Sequence, residues 1–308
     1  MASYLVTGGC GFIGSHLADA LIASGHRVRI LDDLSTGRRE NAPAAAEIIV
    51  GDVADGATVR RAMAGMNGCF HLAAVASVER SRLEWRETNR VNLGGTIEVF
   101  DAARGAKTGA PMPVVYASSA AVYGDNTDVP LAEGAVTRPL SAYGADKLGC
   151  ELHARVADVV HGVPSTGFRF FNVYGPRQDP ASPYSGVISI FAQRIKRGDE
   201  ITIFGDGEQS RDFVYVADVV AVLQATMSKG PKGAAVFNLC TGRETTVMTL
   251  AQTLADLSGR PLRKRFEAPR AGDIRRSLGN PAAMVAAFSR PAETGLADGL
   301  GRTLDWMK

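Results

Sequence analysis

The stretch TGGCGFIGS, residues 7–15, decides how the rest of the chain is read. It satisfies two glycine spacings at once, Gly8-x-x-Gly11-x-x-Gly14 and Gly9-x-Gly11-x-x-Gly14. The run before it, SYLVT (3–7), has strand character, and the run after it, FIGSHLADALIAS (12–24), repeats apolar residues at helical spacing. A strand, a glycine turn and a helix N-terminus together present backbone N–H groups and the positive helix end to the pyrophosphate of a dinucleotide. Taken alone, the glycines serve equally well as a tight strand–helix turn. A second feature tips the balance. RVRILDD (27–33) ends a second strand in Asp32, eighteen residues after Gly14, where a carboxylate accepts hydrogen bonds from the adenosine ribose. A carboxylate there repels a 2′-phosphate, so NAD is favoured over NADP. Asp52, in VGDV (50–53) after a third strand, is placed to meet the adenine.

Outward from this motif, strand-like runs recur at EIIV (47–50), CFHLA (69–73), PVVYAS (113–118) and STGFRFF (165–171). Helix-length segments lie at LEWRETNRVNLGGTIEVFDAAR (83–104) and AYGADKLGCELHARVADVVH (142–161), and NAPAAAE (41–47) reads as a loop or short helix. The alternation predicts right-handed crossovers and an α/β fold, a doubly wound parallel sheet of Rossmann type. Beyond about residue 175 the strands shorten and Pro, Gly and Arg increase, which predicts a smaller C-terminal α/β lobe. The expected division is a dinucleotide-binding domain over 1–174, with return contributions from about 213–240, and a substrate lobe over 175–308.

Composition excludes several classes. Of 308 residues 45% are apolar and 21% charged, with 34 basic against 32 acidic side chains, a net charge of +2. That balance carries no footprint for nucleic acid. The apolar runs fall short of the roughly 20 residues of a membrane span, and MASYLVTGG lacks a basic leader region, so neither membrane nor export is expected. Cys10, Cys69, Cys150 and Cys240 are scattered without a C-x-x-C pair. They read as reduced, buried thiols of a cytoplasmic protein, and no metal site is expected.

Chemistry concentrates in ASSAAVYG (117–124) and SAYGADK (141–147). Tyr143 and Lys147 are spaced i,i+4 and share one helical face. Alone, such a pair reads as surface decoration; after a nucleotide-binding lobe and a serine-bearing strand end it reads as a catalytic set. A tyrosine base working near neutral pH must ionise well below its ordinary value near 10, about 4 kcal/mol of differential stabilisation. A serine hydrogen bond contributes only about 1 kcal/mol. A cation about 4 Å away contributes up to about 4 kcal/mol at an effective dielectric of 20. Lysine, with the positive nicotinamide ring, therefore drives the ionisation, and Ser119 positions the reacting hydroxyl.

The motifs TGGCGFIG, LDDLSTG, HLAA, SSAAVYG, YGADK, RFFNVYGPR and SRDFVYVADV span nearly the whole chain. With them the sequence resembles the extended short-chain dehydrogenase/reductases, specifically the NAD-dependent nucleotide-sugar epimerases and dehydratases. The resemblance implies Tyr143 as base, Lys147 as ribose ligand and tuner of Tyr143, and Ser119 as partner of the sugar 4-hydroxyl. It places the cofactor contacts on Gly8, Gly11, Phe12, Ile13 and Gly14, on Asp32, Asp33, Ser35, Thr36 and Gly37, on Asp52 and Val53, and on Leu72, Ala73 and Ala74. Family members that eliminate water carry an acidic pair after the serine or threonine, and decarboxylating relatives a glutamate. Here Ala120 and Ala121 stand in those places. Without carboxylates, oxidation at C4, rotation of the ketone and return of the hydride are left, which is 4-epimerisation.

The second lobe offers RQDPASPYSGVI (177–188), IFGDGEQSRDFVYV (203–216) and APRAGDIRRSL (268–278). Arg211 and Arg270 read as pyrophosphate clamps, Asp273 as a ribose acceptor, and the backbone at Gly186 and Val187 as a seat for uracil. Each arginine alone reads as a solvated surface charge; as a set matching the family they read as a UDP site. The resemblance adds Asn172 near the phosphates, and Ser77 and Ser118 as substrate contacts. The Q-D-P-x-x-x-Y-x-x-V-I pattern resembles the branch acting on UDP-N-acetylglucosamine. Ser277 aligns with a tyrosine that excludes acetylated sugars in UDP-galactose 4-epimerases, so the small serine admits an N-acetyl group. Ala76 departs from those enzymes, many of which carry a lysine there. The expectation is a UDP-GlcNAc/UDP-GalNAc 4-epimerase with UDP-Glc/UDP-Gal activity, a homodimer through helices near 83–104 and 142–161. Alternatives are a UDP-glucuronate 4-epimerase, a 4-ketosugar reductase, or a non-catalytic nucleotide-binding regulator.

Overall fold

A computed structural model describes residues 1–105, 110–179, 186–270 and 273–307. The strands are β1 (Ser3–Thr7), β2 (Arg27–Asp32), β3 (Glu47–Val50), β4 (Gly68–His71), β5 (Val114–Ser119) and β6 (Ser165–Phe170). They continue as β7 (Asn172–Tyr174), β8 (Ile201–Phe204), β9 (Ser210–Tyr215), β10 (Ala234–Leu239), β11 (Glu244–Thr246), β12 (Lys264–Glu267) and β13 (Arg276–Ser277).

The seven-stranded sheet runs β10-β6-β5-β4-β1-β2-β3. Pairing is parallel between β1 and β2, β2 and β3, β1 and β4, and β4 and β5. The order reverses between β1 and β4, the switch point at whose carboxyl edge such sheets bind ligands. All of β4 and four of five residues of β1 are buried. Continuous burial, rather than alternation, is what a sheet covered by helices on both faces requires. On one face Leu5, Leu31, Val114 and Tyr116 pack with Val59, Val99, Phe100 and Ala154 of three covering helices.

The segment 83–104 is not one helix. It divides into Val78–Leu83, Trp85–Asn89, a π turn at Arg90–Gly94, and Gly95–Arg104. Asn92, inside the π turn, accepts from Val75 N at 2.8 Å and donates to Val75 O at 3.2 Å. The widened turn aims that amide at the loop after β4, a use typical of π bulges. A helix at Gly56–Met63, absent from the sequence reading, is capped by Asp55, which accepts from Ala57 N and Thr58 N.

The chain forms two compact units. The first comprises Met1–Gly124, Thr137–Arg169 and Val220–Phe237; the second comprises Asp125–Val136, Phe170–Val219 and Asn238–Lys308. Residues 125–136 group with the second unit instead of a continuous 1–174. Leu131 N donates to Leu278 O, and Leu131 O accepts from both Asn280 N and the Asn238 amide. In the second unit β9 pairs with β7, β11 and β13, and β8 pairs with β12. Asp212 on β9 is fully buried and accepts from Thr241 N, Thr241 Oγ1 and Gly242 N. Burial pushes its pKa up against those bonds. Among the described residues no helix is long and apolar enough to cross a membrane.

Candidate active site

Gly8 turns the chain out of β1 with φ +70°, and a Cβ on it would lie 2.8 Å from Ala73 N. Gly11 N donates to Gly8 O at 3.1 Å, and a Cβ on Gly14 would sit 2.1 Å from that same oxygen. The Phe12–Ala23 helix starts from Gly11 with no side-chain cap. Its first N–H groups, at Phe12 and Ile13, therefore open onto a cradle that any Cβ would fill. That geometry fits a pyrophosphate.

Asp32 braces the cradle. Only 6% exposed, its carboxylate accepts from Cys10 N and Leu34 N, both at 2.9 Å. Burial raises its pKa and the two backbone bonds oppose the rise. An ionised carboxylate offers about four acceptor positions, which leaves capacity for ribose hydroxyls. Gly37 passes so close that a Cβ would reach 2.8 Å from Asp32 Oδ1. Asp33 accepts from Ser35 N and Ser35 Oγ, fixing a turn that leaves Ser35 and Thr36 exposed. Asp52, expected at the adenine, forms an ion pair with Arg90 at 2.7 Å and accepts from Ala54 N. Arg90 stands in the π turn Arg90–Gly94. Val53 is buried against Gly95.

After β4, Leu72 N and Ala73 N both donate to Thr7 Oγ1 at 3.2 Å. With its lone pairs engaged, the Thr7 hydroxyl donates to His71 Nδ1 at 2.8 Å. That leaves the imidazole proton on Nε2, which donates to Thr96 Oγ1 at 3.0 Å. Burial, then the Lys147 charge, holds His71 down at about 3, so the ring stays neutral. This buried chain pins Ala73 beside Gly8, with Ala74 following half-buried. The histidine was visible in HLAA, but its two hydroxyl partners are distant in sequence.

Ser119 ends β5, and its Oγ accepts from Ala121 N at 3.1 Å, capping the 3₁₀ turn Ala120–Tyr123. The Ala142–His161 helix is capped by Ser141, which accepts from Gly144 N at 3.1 Å. A Cβ at Gly144 would meet Ala121 O at 2.7 Å, so the glycine lets the helix start press on that turn. Tyr143 is half-buried in the first turn. Lys147 is 3% exposed; its Nζ donates to Ala117 O at 2.9 Å and lies 5.9 Å from the Tyr143 ring centroid. Among the described residues Lys147 has no carboxylate partner, so the ammonium is oriented without being neutralised. Ala120 and Ala121 bring no acid to the strand end.

Ser118 departs from its expected role. Strand alternation turns it away from Ser119, and its Oγ donates to buried Glu151 Oε1 at 2.5 Å. Ser77 caps the Val78–Leu83 helix by accepting from Arg80 N, and Ala76 is exposed.

In the second unit Arg211 Nη2 donates to Asp273 Oδ1 at 2.5 Å, and Nη1 donates to Ser210 O and Ile274 O. The two residues expected to hold separate parts of a ligand thus hold each other. The Arg270 guanidinium carbon lies over the Phe204 ring, 3.8 Å from its centroid. Together with Gln209, Phe266 and Asp273 they line a cavity of about 670 Å³. Phe204, Phe266 and Gln209 are not among the residues the sequence singles out; Phe204 and Gln209 stand in IFGDGEQS, whose apolar and amide side chains carry no spacing signal. Ser277 is half-buried on β13, in register with Arg211. Asn172 is exposed on β7, and Gly186 is the N-cap of the helix that opens at Val187. Pro180 and Tyr184 of the Q-D-P pattern lie outside the described residues.

Residues 4–240 match the NAD dependent epimerase/dehydratase family. The chain is 38% identical over 313 residues to a UDP-glucose 4-epimerase of Mycolicibacterium smegmatis, covering 99% of this chain and 98% of that one. A solved UDP-glucose 4-epimerase of Thermotoga maritima with UDP-glucose superposes with TM-score 0.93 at 36% identity, covering 99% and 98%. A UDP-N-acetylglucosamine 4-epimerase of Methanobrevibacter ruminantium, in complex with UDP-N-acetylmuramic acid, gives TM-score 0.93 at 34% identity, with the same coverage. The glycine cradle, the strand order and these likenesses agree on the cofactor, NAD, and the chain belongs to the NAD-dependent epimerase/dehydratase family.

Proposed function

We propose that the protein is a UDP-sugar 4-epimerase acting through a transient 4-keto sugar, with UDP-GlcNAc/UDP-GalNAc as favoured substrates and UDP-Glc/UDP-Gal also turned over. The observation that carries this reading is the strand end at Ser119, followed by Ala120 and Ala121 where an eliminating enzyme would carry acids, with Tyr143 and buried Lys147 on one face of the next helix. The first unit holds NAD through Gly8, Gly11, Phe12, Ile13, Gly14 and Asp32; the second holds the nucleotide sugar. NAD, when bound, supplies the hydride acceptor and donor at C4.

Tyr143 takes the proton of the 4-hydroxyl at its phenol oxygen, and the Lys147 ammonium stabilises the charge that develops there. Ser119 Oγ hydrogen-bonds the same sugar oxygen and holds it in line. Protonation of the returning alkoxide by Tyr143 completes the inversion. A carboxylate at position 120 or 121 would divert the ketone toward elimination; alanine leaves it to rotate and be reduced. The cavity lined by Phe204, Phe266 and Arg270 has the mixed aromatic and cationic character that suits a uracil and its diphosphate. Asn172, Gly186 and Val187 complete this lobe's contacts, and Ser77 is a further proposed contact carried by the first unit.

Two further parts of the reading rest on an exposed helix face and on the cysteines. Leu152, Val156, Val159 and Val160 are exposed along one helix, an apolar face that supports a homodimer. All four cysteines are free and buried, which suits a cytoplasmic protein.

Proton NMR of UDP-GlcNAc, UDP-Glc and UDP-GlcA incubated with the protein tests the activity, the expected result being growth of the C4 epimer from the first two. No new anomeric signal from any of the three refutes it. Ser277→Tyr should abolish turnover of the acetylated sugar and spare the plain one; equal survival of both removes Ser277 as the gate.

A further inference from the structure

Glu151 follows Lys147 by one helical turn and Tyr143 by two, on the same face. It is 9% exposed, yet Lys147 does not claim it. Arg169 on β6 does, through Nε to Oε1 at 2.9 Å and Nη2 to Oε2 at 2.7 Å. The third guanidinium nitrogen, Nη1, donates to the Tyr123 hydroxyl at 2.8 Å, and the guanidinium stacks over the Tyr123 ring at 4.8 Å. Glu151 Oε1 also accepts from Ser118 Oγ.

These contacts grip the segment that carries Ser119 from both ends. Ala117 O is held by Lys147, and Ser118 Oγ by Glu151. Past Ser119, the 3₁₀ turn that its Oγ caps closes at Tyr123, which Arg169 holds. We propose that the buried Glu151–Arg169 pair is a positioning device that fixes the register of Ser119 against Tyr143 and Lys147. The proposal rests on the reading of those three residues as the catalytic set.

Chemistry explains why an ion pair occupies this site. Apolar side chains of equal volume would pack as well or better, because burying two charges carries a large desolvation cost. They would supply no direction. The planar fork of Arg169 fixes the carboxylate plane with two bonds and still reaches Tyr123 with a third nitrogen, while the spare lone pair of Glu151 orients Ser118. By engaging both Glu151 oxygens the arginine also competes with Lys147 for that carboxylate.

The test compares the parent with a double variant, Glu151→Leu with Arg169→Met, which removes both charges together so that neither is stranded, and with the milder Ser118→Ala. In the NAD-bound proteins, kcat for epimerisation should fall about 100-fold in the double variant, the scale of an ångström misplacement. KM and NAD content should stay near parental values. Ser118→Ala should fall between, and amide exchange at Ala121 N–H should quicken in the double variant. Parental kcat in the double variant overturns the proposal. So does loss of kcat only in step with loss of NAD and of thermal stability while Ser118→Ala runs at the parental rate, the signature of a merely structural pair. If the parent turns over no UDP-sugar, exchange at Ala121 decides alone. Faster exchange in the double variant sustains the pair's hold on the Ser119 turn and refutes only the functional reading; unchanged exchange overturns the pair's role.

Discussion

Replacing Gly14 with alanine puts the cofactor cradle to a quantitative test. The new Cβ would lie 2.1 Å from Gly8 O, 2.8 Å from Gly8 C and 2.8 Å from Gly9 Cα. All three are backbone atoms of the turn, so relief requires moving the Gly8–Gly9 peptide or the whole Phe12–Ala23 helix by about an ångström. Overpacking of this kind costs about 1–3 kcal/mol. Alanine returns about 1 kcal/mol through helix propensity. The net effect on folding is then a loss of up to about 2 kcal/mol, or a few degrees in Tm for a chain of this size. The effect on the cofactor is larger, because the displaced peptide forms the anion cradle itself. At about 100 times Kd, NAD stabilises a competent protein by about 2.7 kcal/mol. Gly14→Ala should lose most of that increment in a thermal melt at the same NAD concentration, and should purify with little bound NAD. Gly301→Ala is the control: within the Leu296–Trp306 helix its Cβ meets nothing within 4 Å, so it should gain helix propensity and keep the full NAD-induced shift. A Gly14→Ala protein that melts at or above the parent and keeps the full NAD increment refutes the steric argument.

Tyr143→Phe should lower kcat by about 10²–10⁴-fold, the usual worth of a general base, with NAD content unchanged; turnover at the parental rate removes Tyr143 from the chemistry. His71 sets a pH dependence of stability. Its folded pKa, about 3, lies below the ordinary histidine value, so its contribution is complete above about pH 6.5 and erodes by about 1.4 kcal/mol per unit as pH falls toward the folded value. Urea unfolding at pH 7.5 and 5.5 should show a steeper loss for the parent than for His71→Gln, and equal slopes would contradict the assignment of a buried neutral ring. Leu152→Asp with Val156→Asp should leave the fold intact and yield a monomer in analytical ultracentrifugation, if that exposed face joins two copies; a parent already monomeric disproves the dimer.

What the sequence made legible is what one local constraint determines. Gly8, Gly11 and Gly14 each answer a steric demand of one turn, and Asp32 needs only the end of β2 to be placed, so spacing alone reveals them. Tyr143 and Lys147 are one helical turn apart, and the helix they open runs as the periodicity predicts. Partner choice is another matter. Ser118 and Ser119 are chemically identical neighbours, and which of them turns toward the Ala120–Tyr123 side is decided by β5 pairing and by Glu151 and Arg169, 33 and 51 positions beyond Ser118 in the sequence. Arg211 and Asp273 were each legible as polar binding groups, but their mutual ion pair closes across 62 residues and depends on β13 lying beside β9. The same limit divides the helix expected at 83–104, where the π turn exists because Asn92 reaches back to Val75. Residue type sets which interactions are possible, and topology selects among them. A buried carboxylate such as Glu151 therefore gains its meaning only from the arginine that reaches it, and the consequence for Ser119 follows from that contact rather than from any spacing in the chain.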